Sequence, residues 1–485
     1  MMTNNLTVRI AQGTDASTMD PFAHSETTTA NILLQVYDSL VRRDSEMNIQ
    51  PHLATSWEYV NDREVIFNLR DDIYYHHGDK LTASDVKFSI ERMVDPKMSD
   101  IFPPAGRFNS MVSVDVLSDD QVKVHLHRPD PNLLAQLAGL MIISESYFNE
   151  VGEAKFSVSP SGTGPFKMQN WKREEGKVYL ERNDNYFLGK ADMEFLEFHA
   201  VPHGVDRVEG IKNKIYDVAA NFPPLDKEAV ENEEGVTVAG TPSVGIIYMG
   251  INTHHEILSN KKLRHAISHG IDMKTIIEEE LVGCGYPLAG PVYPQAFGVD
   301  ENQKPIEYNP ERSRQLLKEA GFEEGVSVKV EVPDGRFTQD KEICFKMRAQ
   351  LKEVGIDLEV DVRPWDEFIG RFRNHQYDQM YYVGWGNFTF DPDEVYRNAF
   401  IHPRAWNPTH FSHHRMEEIA IEASKILDST TRQELYSEAL SIFRDELPWI
   451  PLFQQFDLYG LNEEWIFKPR MDEFIYAFDI KKNRG

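Results

Sequence analysis

The chain has 485 residues, 41% hydrophobic and 27% charged, which is enough apolar material for several cores. No run approaches the roughly 20 apolar residues that span a bilayer. Acidic residues outnumber basic ones 78 to 51, a net charge of −27 with no compensating basic patch, which excludes nucleic acid as a partner.

In chain order, Met1-Met2-Thr3-Asn4-Asn5 leads directly into the alternating Leu6-Thr7-Val8-Arg9-Ile10, with no basic start and no apolar leader. Taken alone this fits a cytoplasmic chain, and it fits equally an exported one whose leader is not part of this sequence. Val65, Phe67 and Leu69 alternate with polar neighbours and predict a half-buried strand. Thr82 with Asp85 forms a capping box ahead of Val86, Ile90 and Met93 on one helical face. Val112, Val114 and Val116, then Val122, Val124 and Leu126, predict two strands of a hairpin turning at Ser118-Asp119-Asp120. Asn309-Pro310 opens a helix that Gly321 closes, and a further helix over 341–354 precedes Gly355 and a strand over 356–362. A helix feeding straight into a strand belongs to an α/β sheet, whereas 112–126 belongs to an antiparallel α+β module. The chain is therefore mixed α/β with two kinds of sheet.

Catalytic signatures are missing. There is no Walker A loop and no G-x-S-x-G elbow, and the G-x-G at Gly283 and Gly285 fails at Leu288. No carboxylate pair stands out in so acidic a chain, so the expectation is a non-enzyme with no catalytic residues. Cys284 and Cys344 form neither a disulfide framework nor a C-x-x-C site. Of 17 histidines, four crowd together at His402, His410, His413 and His414, but Pro403 and Pro408 break the spacing and favour a solvated loop over a metal site. No metal and no cofactor is expected.

Several segments resemble the extracellular solute-binding proteins of the dipeptide, oligopeptide and nickel ABC importers (family 5). The fullest is 53–93, LATSWEYVNDREVIFNLRDDIYYHHGDKLTASDVKFSIERM, which departs from the family pattern at Tyr75, usually phenylalanine, and His77, usually aspartate. Ser161–Phe166 with Glu181-Arg182-Asn183 and Tyr186, Met249–Asn252 with 263–272, and 308–322 follow in the family's order. The resemblance implies a two-lobed periplasmic-binding-protein-like fold of the class II type, with an extra α+β domain inserted in the N-terminal lobe. Lobe one would comprise 1–37, 158–242 and 460–485, the inserted domain 38–157, and lobe two 243–459. It further implies a monomer, periplasmic or anchored outside the membrane, that captures a peptide or peptide-like solute between its lobes and delivers it to an ABC permease. A receptor for nickel or a metal chelate is the alternative.

The resemblance also implies a site. Relatives carry a G-W-x-x-D stretch whose tryptophan lines the pocket and whose aspartate pairs with the peptide ammonium; here Gly384-Trp385-Gly386-Asn387-Phe388 has phenylalanine at the acidic position. Either Asp391 substitutes for it or the ligand lacks a free amino terminus there. Arg336 suits a ligand carboxylate or phosphate. His24, Ser25 and Glu26 follow the first strand in a loop that borders the ligand in relatives, Phe102 and Arg107 of the inserted domain fall near a family position that contacts ligand, and Asn252 is placed near the hinge side of the cleft.

Overall fold

The computed structural model describes residues 6–97, 108–300, 302–401 and 407–484. The chain divides into two compact units, 1–241 with 457–485, and 242–456.

In the first unit, β1 (Thr7–Gln12) is followed by the helix α1 (Thr27–Val36). Next come β2 (Ala54–Asn61), β3 (Glu64–Leu69), α2 (Ala83–Val94), β4 (Met111–Ser118) and β5 (Gln121–Leu126). The unit continues through β6 (Phe166–Lys172), β7 (Lys177–Arg182), β8 (Phe195–Ala200), α3 (Gly204–Lys212) and β9 (Val218–Ala219). One sheet runs β9–β1–β8–β7–β6. β1 is parallel to both neighbours, with Thr7 opposite Phe195 and Ile10 opposite Val218, because α3 carries the chain from β8 across β1 to β9. The second sheet, β2–β3–β5–β4, is antiparallel throughout.

Strict alternation in β3 and β5 turns Val65, Phe67, Val122 and Val124 inward against Val86, Ile90 and Met93 of α2. The expected capping box is present, with the Thr82 N–H donating to Asp85 Oδ2 over 2.8 Å. The hairpin partner differs. Val114 is buried, but Val112 and Val116 are 54% and 42% exposed. A register irregularity between Met111 and Ser113 turns Val112 out, whereas Val116 stays in phase with Val114 and is exposed near the end of an edge strand.

A single hydrophobic cluster serves both sheets, running from Val8 and Ile10 through Phe67 and Val86 to Ile475 and Ile480. Polar ties reinforce it. Buried Asp38 accepts from His52 (2.7 Å), Thr163 (2.7 Å) and Tyr186 (3.0 Å), joining four distant stretches. Burial pushes the Asp38 pKa up, but His52 and these hydrogen bonds outweigh it and hold the carboxyl below its usual value. Beside Thr163, a Cβ at Gly162 would come within 2.0 Å of the Val36 carbonyl oxygen, so only glycine admits this approach. His77, where the family pattern has aspartate, stacks between Tyr75 and Tyr147 and bonds Ser161 at 2.7 Å.

Strand β10 (Val236–Ile251) leads into the second unit. There follow α4 (Lys261–His269), α5 (Met273–Glu280), β11 (Gly285–Pro287), α6 (Pro310–Glu319), β12 (Val326–Pro333), α7 (Asp340–Glu353) and β13 (Ile356–Arg363). Then come α8 (Trp365–Arg373), β14 (Met380–Gly386), α9 (Asp393–Ala399), α10 (His414–Ala423), α11 (Ser429–Glu446) and β15 (Trp449–Asn462). The sheet order is β13–β12–β14–β10–β15. β13, β12 and β14 are parallel, and β10 returns antiparallel with Gly245 opposite Gly386.

Local punctuation agrees with expectation. Asn309 Oδ1 accepts the Arg312 N–H at 2.9 Å, Pro310 opens α6, and Gly321 follows it at φ +91°. α7 and β13 flank Gly355 at φ +93°, each within a residue of its predicted bounds.

Candidate ligand-binding site

Strand order in the second unit creates a switch point. From β12 the chain goes outward to β13, whereas from β14 it proceeds to β15 on the far side of β10. Connections that leave neighbouring parallel strands in opposite directions open a crevice at their carboxyl ends, the usual place for a ligand in an open α/β sheet. Three segments meet at this edge: 334–337 after β12, Pro364-Trp365 after β13, and 384–388 where β14 ends.

The first segment is shaped by Asp340, which is buried at the start of α7. Its carboxylate accepts the N–H groups of Gly335 (3.2 Å), Arg336 (2.9 Å), Phe337 (3.1 Å) and Lys341 (2.9 Å). Burial pushes its pKa up, while these same bonds work against the rise. The loop so fixed sets the Arg336 guanidinium 5.2 Å from the centres of both the Phe337 and Trp365 rings. Phe337 meets Trp365 edge-on at 6.3 Å, and Trp365 stacks on Phe368 at 5.8 Å. Gly384 permits this arrangement, because a Cβ there would lie 2.7 Å from the Phe337 ring. The result is a half-buried aromatic platform beneath a cation, with Trp385 on the adjoining strand.

Beyond Trp385 the loop is internally tied. Asn387 is buried: its amide donates to the Asp391 carbonyl (2.8 Å), its side-chain oxygen accepts from Thr389 (2.8 Å), and its carbonyl accepts from Tyr293 (2.8 Å). The Phe388 ring folds back over Gly386. Asp391 is also buried, and its Oδ1 accepts from Arg432 of α11 at 2.7 Å and from the Asp393 N–H at 2.9 Å. Arg432 in turn lies 4.8 Å from the Phe297 ring centre and donates to the Ala423 carbonyl. The Asp391 charge is thus balanced inside the unit.

Asn252 does not join this group. It follows β10, which is antiparallel to β14, so it lies at the opposite edge of the sheet, roughly 20 Å away at strand spacing. Its amide donates to the Asp378 carbonyl at 2.9 Å, and its N–H donates to Gln379 at 2.7 Å. Near it the His254 and His410 rings stack at 5.5 Å, with His375 5.6 Å from His410. His413 caps α10 and His414 pairs with Glu418, so these two described histidines of the stretch are engaged separately. Among the described residues no group of three or more His, Cys, Asp or Glu side chains could hold a metal ion.

In the first unit, His24, Ser25 and Glu26 lie in the loop at the carboxyl end of β1. That loop is anchored by Arg92, which grips Asp20 with two hydrogen bonds of 3.0 and 2.7 Å and lies 4.9 Å from the Phe22 ring centre. Glu26 accepts from Ser17 (3.1 Å) and the Ser25 N–H (3.2 Å) at the start of α1. Burial lowers the His24 pKa, keeping the imidazole neutral at pH 7. Phe102, Arg107 and His402 lie outside the described residues.

Trp365, Phe337 and Asp340 escaped the sequence reading. The available signal was an aspartate in the first turn of a helix after a glycine-bearing loop, and a tryptophan directly after a strand-ending proline. No helix among the described residues is long and apolar enough to cross a membrane.

Residues 48–407 match the family model described as bacterial extracellular solute-binding proteins, family 5 Middle. The glutathione-binding protein GsiB of Escherichia coli (strain K12) is 25% identical over 462 residues, covering 92% of this chain and 88% of that one. The structure of NikA from Brucella suis in complex with Fe(III)-EDTA superposes with a TM-score of 0.89 at 22% identity, over 98% of this chain and 100% of that one. The ABC transporter-associated periplasmic binding protein DppA from Helicobacter pylori, in complex with the peptide STSA, gives 0.82 at 24%, over 99% and 98%.

Proposed function

The chain belongs to the bacterial extracellular solute-binding proteins of family 5, and on that premise we propose that it captures a peptide or peptide-like solute and delivers it to the membrane permease of an ABC importer. It acts outside the cytoplasm as a monomer, with 38–157 as an inserted domain whose antiparallel sheet supports that division. The observation that carries the reading is the platform at the switch point, Arg336 over Phe337 and Trp365. A planar guanidinium backed by rings recognises a carboxylate bidentately while the rings contact the apolar part of the same molecule.

The resemblance left two explanations for phenylalanine at 388, and the Arg432–Asp391 pair favours the second. A carboxylate already neutralised in a buried ion pair is a poor partner for a second cation, since drawing it away strands Arg432. The ligand is therefore one whose amino group is not ion-paired at this loop. GsiB, named for glutathione, makes γ-linked tripeptides a natural class to test.

Isothermal titration with glutathione, dipeptides and their C-terminal amides tests the proposal. Expected is micromolar or tighter binding of an acid-terminated peptide, weakened at least tenfold by amidation or by Arg336→Ala. Equal binding of acid and amide forms sinks the role of Arg336, and no binding across the panel sinks the peptide reading. The receptor for a metal chelate remains the rival, favoured by the likeness to NikA with its bound Fe(III)-EDTA. Its carboxylates suit the same cation, and a titration with Fe(III)-EDTA separates the two.

A further inference from the structure

The second unit holds another concavity that shares no residue with the platform. It lies where the turn between α4 and α5, the residue after β11 and the segment 304–308 face the start of β15, and it encloses about 450 Å³. Its floor is apolar: Ile271, Leu288, Ile450 and Leu452 are each 5% exposed or less. A void of this size falls in the range of small-molecule sites, which are mostly apolar with a few placed charges.

The charges stand at the mouth. Lys274, Lys304 and Glu307 are exposed there, and neither ammonium takes part in an ion pair among the described residues. Asp272 also lines the mouth, but its carboxylate caps α5, accepting the N–H of Thr275 at 3.1 Å and its hydroxyl at 2.8 Å. The positive end of that helix stabilises the carboxylate. Two ammonium groups thus stand with two carboxylates at the mouth, and Asp300 also acts on Lys304, but neither lysine is held in an ion pair among the described residues.

We propose that this concavity is a second ligand site, for a small apolar molecule carrying one carboxylate. The apolar body lies on the floor, and the carboxylate lies between Lys274 and Lys304. A free peptide fits poorly, since its amide groups would meet no partners on the Ile271–Leu452 floor. The assignment is independent of what the platform binds.

Titration of decanoate into the intact protein tests it, with melts by circular dichroism alongside. Expected is one saturable site, weaker for decanol. Ile306→Trp, which fills the half-exposed lip, lowers affinity at least tenfold, as does Lys274→Glu combined with Lys304→Glu. Arg336→Ala, at the platform, leaves decanoate affinity unchanged. No saturable heat, binding that survives both lip and lysine variants, or binding that falls with Arg336→Ala overturns the assignment. Should Ile306→Trp melt below the parent, the lysine variant decides alone.

Discussion

Replacing Asp391 with asparagine separates a structural from a ligand-binding carboxylate. The Asp391 and Arg432 side chains are 7% and 5% exposed and 2.7 Å apart, so the substitution leaves a buried guanidinium facing a neutral amide. Breaking a buried pair from one side costs about 3–5 kcal/mol. Arg432 keeps its bond to the Ala423 carbonyl and its contact with the Phe297 ring, which places the expected loss near the lower figure. For a unit of this size each kcal/mol moves the midpoint by about 2–4 °C, so the unit should melt roughly 6–12 °C lower. Calorimetric melts of the parent, Asp391→Asn, and Asp391→Asn with Arg432→Met supply the measurement, with peptide titration performed well below each midpoint. The double variant should regain part of the loss, because no charge is then stranded, and peptide affinity should hold within threefold throughout. A midpoint shift under 2 °C accompanied by a tenfold loss of affinity would refute the reasoning and return Asp391 to the ligand.

Other consequences follow from the same geometry. Gly384→Ala pushes a methyl group into the Phe337 ring, and because the site is half-open the cost falls on the platform. Peptide affinity should drop about tenfold with a midpoint shift of a few degrees, read by titration and melting together. Phe388→Asp restores a carboxylate at the family's acidic position; dipeptide affinity should rise about tenfold, with no change for N-acetylated forms. The Asp38 pKa is depressed on folding, so its contribution is present above the unfolded value near 4 and is lost as pH falls through the folded value. The stability advantage of the parent over Asp38→Asn should therefore be steady from pH 7 to 5 and shrink below 4, measured by melts across that range.

The carboxyl-edge platform was half legible. Trp385 and Arg336 stood out through the family resemblance, but the residues that aim them did not. Asp340 organises Arg336 through backbone N–H groups three to five positions earlier, and nothing in the pattern of side chains marks an aspartate as the hub of such a turn. Trp365 reaches Arg336 only because β13 and β12 run side by side. Val112 and Val116 looked inward on alternation; the interrupted register of β4 turned Val112 out, and Val116 is exposed because β4 is an edge strand.

Helix ends, glycine stops and the inward faces of β3, β5 and α2 were determined by the sequence itself. Each depends on chemistry within about four residues: an asparagine or threonine meeting an N–H of the first turn, a glycine accepting positive φ, or a periodicity of two or 3.6. Strand order is a different matter. That β12 lies between β13 and β14, and that Arg432 reaches back across 41 positions to neutralise Asp391, were decided only when the sheet and its helices packed together. Pairing between distant segments is selected by burial of whole faces, a sum over many residues that leaves no mark at any one of them.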